Sequence, residues 1–233
     1  MLNVNTPSHE VRKKRYLKRL RYLFPPHIRN VLDFDHQGLY STTEHEIAHQ
    51  MSDIMANACW LHGKRHAPQV DIVDGTAGIG GNSFAFASMF RRVHSLELHY
   101  HRWAMLQGNT QKLRLDRNID CIHGNFITYL ESGMFGSMRM FFLDPPWGGL
   151  AYKRKSQLQL QLSGVPLHTI LGWMPDDYTV VGLKVPFNFA LRHLADHLPP
   201  HIRLRWISRF KHVWLLVLCI SPRQGNALGA GCR

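Results

Sequence analysis

The sequence predicts an α/β fold: an open, seven-stranded, mostly parallel sheet with a C-terminal antiparallel hairpin, preceded by a helical N-terminal extension. Three observations predict it. Short apolar runs alternate with helical stretches from Val70 onward, the pattern of a parallel sheet covered by helices on both faces. A glycine-rich turn, DGTAGIGG, follows the first run, and the fourth ends in Asp144-Pro145-Pro146-Trp147. The last two runs lie only a few residues apart, too close for a parallel crossover, so they pair as a hairpin.

Taken in order, Arg12 to Tyr22 (RKKRYLKRLRY) carries seven basic residues interleaved with Tyr16, Leu17, Leu20 and Tyr22. That spacing suits a basic amphipathic helix, stopped by Pro25-Pro26. The stretch DFDHQGLYSTTEHE reads as turns, followed by a helix from Glu44 to about Leu61 with Thr42 or Thr43 as its N-cap. Strands are expected at Val70 to Asp74, Val93 to Leu98, Asp120 to His123, Met138 to Leu143, Thr179 to Val185, Ile202 to Ile207 and His212 to Ile220. Helices are expected up to Met89, over Arg102 to Leu113, and near Phe189 to His197. The division that follows is a basic helical extension over residues 1–50, a main domain over 51–222, and a loose tail over 223–233.

Composition narrows the partners. Lys and Arg number 28 against 16 Asp and Glu, a net charge of +12, which concentrates polyanions and points to RNA or DNA. No apolar run approaches the ~20 residues of a membrane span, and the first residues lack a signal-peptide core, so no membrane partner is expected. Cys59, Cys121, Cys219 and Cys232 form no CxxC pair, which fits a reducing intracellular compartment. His62 and His66 sit four apart, but Gly63 and Pro68 break the local helix and no third ligand is near, so no metal site is expected.

Three motifs carry chemistry. In an open parallel sheet, ligands bind at the carboxyl edge of the strands, and a glycine-rich turn there lets backbone approach a cofactor. The candidate cofactor residues of this turn are Asp74, Gly75, Thr76, Ala77, Gly78, Gly80 and Asn82. A GxGxxG string and a phosphate-loop Lys-[Ser/Thr] are both missing, which argues against dinucleotides and nucleoside triphosphates. Glu97 stands 23 residues after Asp74, near the spacing at which a carboxylate accepts both hydroxyls of a ribose. After the third strand, the Asn125 amide suits an adenine edge, with Phe126 against the ring face.

The third motif is FFLDPPWGG, Phe141 to Gly149. An apolar strand delivers Asp144 to the carboxyl edge, two prolines stiffen the backbone after it, and Trp147 projects from the loop. Methylating an amine on a base requires holding the planar base with its amine in line with a sulfonium methyl group, so positioning matters more than a strong base. Asp144 and the carbonyl of Pro145 are candidates to accept hydrogen bonds from the amine, and Trp147 to stack on the base, strongly if the base is cationic.

These residues resemble a known family. Asp-Pro-Pro-aromatic after the fourth strand looks like the amino-methyltransferase signature, and PPWGG resembles the version found in trimethylguanosine synthases, the RNA cap guanine-N2 methyltransferases. DFDHQGLYSTTE, with Gly38, Tyr40, Ser41 and Thr42 on the pattern, and LKVPFNF, Leu183 to Phe189, are similar to two further family segments; the likeness covers about residues 20 to 220. It implies a Rossmann-like class I methyltransferase fold, S-adenosylmethionine as cofactor, and methylation of the 2-amino group of a 7-methylguanosine RNA cap. It places Asp74 and Glu97 at the cofactor and Trp147 on the guanine, and Asp144 is a further candidate beside the cofactor. Tyr40, Pro146, Lys153 and Arg154 become candidates for the rest of the capped RNA. A nuclear protein acting as a monomer is the corresponding expectation. Asp144 stands where the cellular enzymes typically have Ser, which makes the site resemble the adenine and ribosomal-guanine amino-methyltransferases, and Asn125 replaces the more usual Asp. The long accessory domain of the animal versions is not expected here, so the likeness is to the compact protist and viral forms. Asp144 equally suits an rRNA or tRNA guanine-N2 methyltransferase. A cap- or RNA-binding module without catalysis is the alternative of another class, disfavoured by Asp74, Glu97, Asp144 and Trp147 all being present.

Overall fold

The computed structural model describes residues 18–223. Helix α1 is described over residues 18–23 and stops before the two prolines, while the rest of the basic segment, from Arg12, lies outside the described residues. Short helices α2 (Pro26–Arg29) and α3 (His36–Ser41) follow, then the long helix α4 (His45–Gly63). The stretch read as turns therefore contains α3, whose first turn is capped by the Asp35 carboxylate accepting from the Gly38 amide. Thr42 is the C-cap of α3 instead of the N-cap of α4, its hydroxyl donating to the Gly38 carbonyl. Glu44 holds the N-cap position of α4 without a side-chain bond.

Strand and helix then alternate: β1 (Asp71–Asp74), α5 (Gly81–Phe86), β2 (Arg92–Glu97), α6 (Tyr100–Lys112), β3 (Ile119–His123), α7 (Phe126–Glu131) and β4 (Met140–Leu143). A small two-stranded ladder, β5 (Gln161–Leu162) with β6 (Val165–Pro166), leads into α8 (Leu167–Trp173). The chain ends with β7 (Thr179–Pro186), α9 (Leu191–Asp196), β8 (Ile202–Phe210) and β9 (Val213–Ile220). All seven expected strands exist, with no end shifted by more than three residues. The β5–β6 ladder, α7 and α8 were not foreseen, because two-residue strands and helices of six and seven residues leave little periodicity to read.

The main sheet has the order β3-β2-β1-β4-β7-β9-β8. Its first five strands are parallel, and β9 and β8 close the far side antiparallel. The chain moves outward from β1 to β3 and then returns to lay β4 beside β1. That reversal opens a crevice over the carboxyl ends of β1 and β4, where sheets of this kind hold ligands. Alternate residues feed two cores. Val73, Phe141, Leu143, Leu183 and Val185 face one side with α7, α8 and α9 residues. Ile72, Phe142, Val180 and Val217 face the other with Met51 and Met55 of α4 and Phe86 of α5. Each fully buried Phe or Leu contributes about 1.5–3 kcal/mol.

A third cluster, Leu20, Leu23, Phe24, Leu32 and Leu39, makes the N-terminal helices a small lobe. Asn109 of α6, fully buried, fastens it: its side chain accepts from the Asp33 amide at 2.7 Å and donates to the carbonyls of Asp33 and Ile79. The boundary expected at residue 50 falls inside α4, which runs unbroken from the lobe onto the sheet. Of the expected tail only Arg223 is described, and it donates to the Gly172 carbonyl and pairs with Asp176. No helix among the described residues is long and apolar enough to cross a membrane.

Candidate active site at the carboxyl edge of the sheet

The turn after β1 is organised around Asp74. Its side chain is fully buried, with one oxygen accepting from Ser83 Oγ at 2.7 Å and the other from the Thr76 amide at 3.3 Å. Ser95 of β2 extends the chain by donating to Ser83 at 2.9 Å. Burial pushes the Asp74 carboxyl up to about 7, the hydrogen bonds from Ser83 and Thr76 opposing it. Asp74 therefore braces the turn from behind, which corrects its expected place in contact with a cofactor. Gly75 is buried against Phe126 and Leu143, where a Cβ would come 2.5 Å from Leu143. Ala77 is held by its amide to the Leu96 carbonyl. Gly78 (φ +58°) and Gly80 (φ +110°) take the left-handed backbone that glycine adopts without strain, and open space lies beside Gly78.

Glu97, at the end of β2, reaches across to this turn. One oxygen accepts from the Gly78 amide at 3.0 Å; the other accepts from the His99 amide at 2.9 Å and from Arg102 Nε at 3.3 Å. Burial pushes its carboxyl up, and Arg102 opposes this most strongly. Arg102 also donates to Gln37 Oε1 at 2.9 Å, so the lobe is tied to the acid through one guanidinium. Neither Arg102 nor Gln37 was singled out from sequence; an arginine five residues after Glu97 was the available signal.

At the end of β3, Asn125 caps α7, its carbonyl oxygen accepting from the Ile127 amide and from Ser163 Oγ. Its Nδ2 keeps no partner among the described residues, so a donor remains for a ligand. Phe126 corrects the sequence reading: its ring is 2% exposed and stacks on Phe135 at 5.8 Å, so it belongs to the core and not to an adenine face.

Asp144 leaves β4 beside the turn after β1. Its amide donates to Thr76 Oγ1 at 2.6 Å, and its Oδ2 accepts from Lys184 Nζ at 2.6 Å. Burial pushes the Asp144 carboxyl up, and the Lys184 ammonium opposes it. Lys184 is 4% exposed, in a strand whose eight residues are all buried. Sequence reasoning quoted its segment but gave it no role, although a lysine inside the apolar run TVVGLKVP needs a partner once buried.

Pro145 is buried and Pro146 exposed. Trp147 is half-buried, meets Tyr152 edge-on at 5.1 Å and lies 5.3 Å from the Lys184 ammonium, while its indole N–H is buried with no hydrogen-bond partner. Lys153 and Arg154 stand exposed at the end of the 3-10 turn Gly149–Arg154, in no ion pair among the described residues. Tyr40 is half exposed on α3, next to His36 at 4.8 Å and the Arg19 guanidinium at 5.7 Å. Its helix packs on the glycine turn, where a Cβ on Gly38 would come 2.9 Å from Ile79.

S-adenosylmethionine suits this edge. The Asn82 carbonyl oxygen is buried without a partner, and open space lies beside Gly78. Glu97, at the end of β2, accepts from the Gly78 amide of the same turn, and Asn125 offers a free donor. His62 is bonded to the Ile220 carbonyl and His66 stacks on Trp60; no cluster among the described residues is arranged to hold a metal ion.

Comparison with known proteins agrees with this geometry. The model of a family described as RNA cap guanine-N2 methyltransferase matches residues 70–207. Uncharacterized protein L320 of Acanthamoeba polyphaga mimivirus is 33% identical over 130 residues, 54% of this chain and 50% of that protein. The chain thus spans about half the length of this curated relative. Among solved structures, a candidate methyltransferase of Porphyromonas gingivalis W83 superposes with a TM-score of 0.62 at 16% identity, covering 94% of this chain and 52% of that one. The candidate methyltransferase yhhF of Escherichia coli gives 0.51 at 14% identity, covering 75% and 87%. At such identities these likenesses establish the Rossmann-like methyltransferase fold alone.

Proposed function

Since the chain belongs to the RNA cap guanine-N2 methyltransferase family, we propose that it methylates the exocyclic 2-amino group of the 7-methylguanosine cap of RNA. One observation carries the reading: Asp144-Pro145-Pro146-Trp147 leaves β4 at the switch-point crevice, hydrogen-bonded to the glycine turn through Thr76. S-adenosylmethionine supplies a methyl group already activated on a sulfonium. The chain's own task is then to hold the base. Trp147 stacks on the guanine, a contact worth about 1–3 kcal/mol. The second oxygen of Asp144, which has no partner among the described residues, accepts one N–H of the amine, and the Pro145 carbonyl accepts the other. That pair of acceptors turns the nitrogen lone pair out of the base plane, toward the methyl group. Exposed Lys153 and Arg154, together with the net charge of +12, suit the phosphates behind the cap. A capped substrate is compatible with work in the nucleus or in the cytoplasm.

The test is methyl transfer from labelled S-adenosylmethionine to two matched dinucleotides, one capped with 7-methylguanosine and one with plain guanosine. Transfer to the first alone supports the cap reading, and the product mass counts the methyl groups. A second reading, an rRNA or tRNA guanine-N2 methyltransferase, is favoured by one contact. The Lys184 ammonium near Trp147 disfavours a cationic base there and tolerates neutral guanine. Transfer to structured RNA but to neither dinucleotide selects it.

A further inference from the structure

Lys184 is the one charged residue in a fully buried strand. Taking an ammonium out of water costs several kcal/mol, and a well-packed apolar residue is often equally stable in such a place. Stability therefore gives no reason for a lysine here, whereas the register of the sheet does. Leu143 of β4 pairs with Leu183 of β7, so the next residues, Asp144 and Lys184, stand side by side at the carboxyl edge. The ammonium meets Asp144 Oδ2 at 2.6 Å and the ring of Trp147 at 5.3 Å. One cation thus touches both the acceptor and the stacking ring of the active site.

We propose that Lys184 is a positioning residue for methyl transfer, holding Asp144 as a paired carboxylate whose other oxygen accepts the N–H of the target amine. The inference deepens the guanine-amine reading and rests on it. An ionised carboxylate only accepts hydrogen bonds, which leaves the lone pair of the amine free to attack. The C–N bond forms as the methyl's bond to sulfur breaks, leaving a neutral thioether, and the proton the nitrogen then sheds passes to solvent. A protonated carboxyl carries an O–H that donates to that lone pair and removes it from the reaction. Burial drives Asp144 toward the protonated form, and Lys184 of β7 opposes it. Among the described residues the carboxylates coupled to this cluster are Asp74 on β1 and Glu97 on β2, the latter already paired with Arg102. Lys184 is the cation in contact with Asp144 among the described residues.

The experiment compares the full chain with Lys184→Met, Lys184→Arg, Asp144→Ser and the double variant Lys184→Met/Asp144→Ser, using the 7-methylguanosine dinucleotide and S-adenosylmethionine across pH. Lys184→Met is expected to lower kcat about 10²-fold at neutral pH, with S-adenosylmethionine affinity held within about twofold as the control for folding. Removing the ammonium raises the Asp144 pKa further, so the acid limb of the kcat profile moves to higher pH and activity recovers there; Lys184→Arg keeps the wild-type limb. Asp144→Ser costs kcat as well, and the double variant costs no more than the worse single one, because Lys184 acts through Asp144. Multiplying effects in the double variant, or an unmoved acid limb in Lys184→Met, overturn the proposal. Should Lys184→Met fail to fold, carboxyl ¹³C resonances of the wild-type aspartates decide: Asp144 ionised at pH 7 supports the proposal, and Asp144 protonated there overturns it. That measurement uses no substrate, so an enzyme silent on the dinucleotide defeats the cap reading without touching the Lys184–Asp144 result.

Discussion

Thr76 Oγ1 accepts the main-chain N–H of Asp144 at 2.6 Å, joining the turn after β1 to the motif after β4 across 68 residues of sequence. The glycine turn and the Asp144-to-Trp147 motif are thereby one mechanical unit. Thr76→Val keeps the shape and removes the acceptor, leaving a part-buried amide unpaired at a cost of about 1–3 kcal/mol. The expected result is joint loss of S-adenosylmethionine affinity and kcat, with Thr76→Ser near wild type. Titration calorimetry beside steady-state rates checks it, and a kcat loss with unchanged cofactor affinity contradicts the coupling.

Trp147→Ala is expected to weaken binding of the 7-methylguanosine dinucleotide by the stacking energy of about 1–3 kcal/mol, roughly 5- to 150-fold. S-adenosylmethionine affinity stays within about twofold. Unchanged dinucleotide affinity in a fluorescence titration removes the stacking assignment.

Asp74 makes stability depend on pH in an unusual direction. Its folded pKa of about 7 lies above the ordinary ~3.9 of an unfolded chain, so between these values the folded state holds the extra proton. The stability it contributes is present below about pH 4 and is lost as pH rises through 7. Asp74→Asn keeps an acceptor for Ser83 and removes the titration. Melting temperatures from pH 4 to 8 should show the wild type losing ground to Asp74→Asn as pH rises; parallel curves contradict the burial argument.

Asn109→Ala strands the amide of Asp33 and the carbonyls of Asp33 and Ile79. At about 1 kcal/mol for each bond, unfolding stability should fall by roughly 3 kcal/mol. Limited proteolysis of the variant should cut first within residues 18–41, since the lobe loses its main polar fastening. Uniform protection of the lobe in the folded variant is the contrary result.

Much of this molecule was legible beforehand for identifiable reasons. The parallel strands announced themselves as short apolar runs because both of their faces are buried, and the hairpin because β8 and β9 leave no room for a crossover. α3 was hidden in DFDHQGLYSTTEHE, where Gly38 and the capping residues look like turn chemistry until Leu39 is seen to bury in the lobe. Phe126 was misread because its position beside Asn125 is equally compatible with a ligand and a core. Packing on Phe135 and Gly75 chose the core.

The amino-acid sequence by itself determined what is written in consecutive residues: the glycine turn after Asp74, the Asp144-to-Trp147 motif, the alternation of elements and the basic charge. Tertiary structure alone decided which groups face one another. It buried Asp74 behind its turn, tied Glu97 through Arg102 to the lobe, and set Lys184 against Asp144. The physical reason is register. Backbone hydrogen bonding between β4 and β7 aligns residues 40 positions apart, and a lone lysine in an apolar run acquires its partner only when the sheet removes both from water.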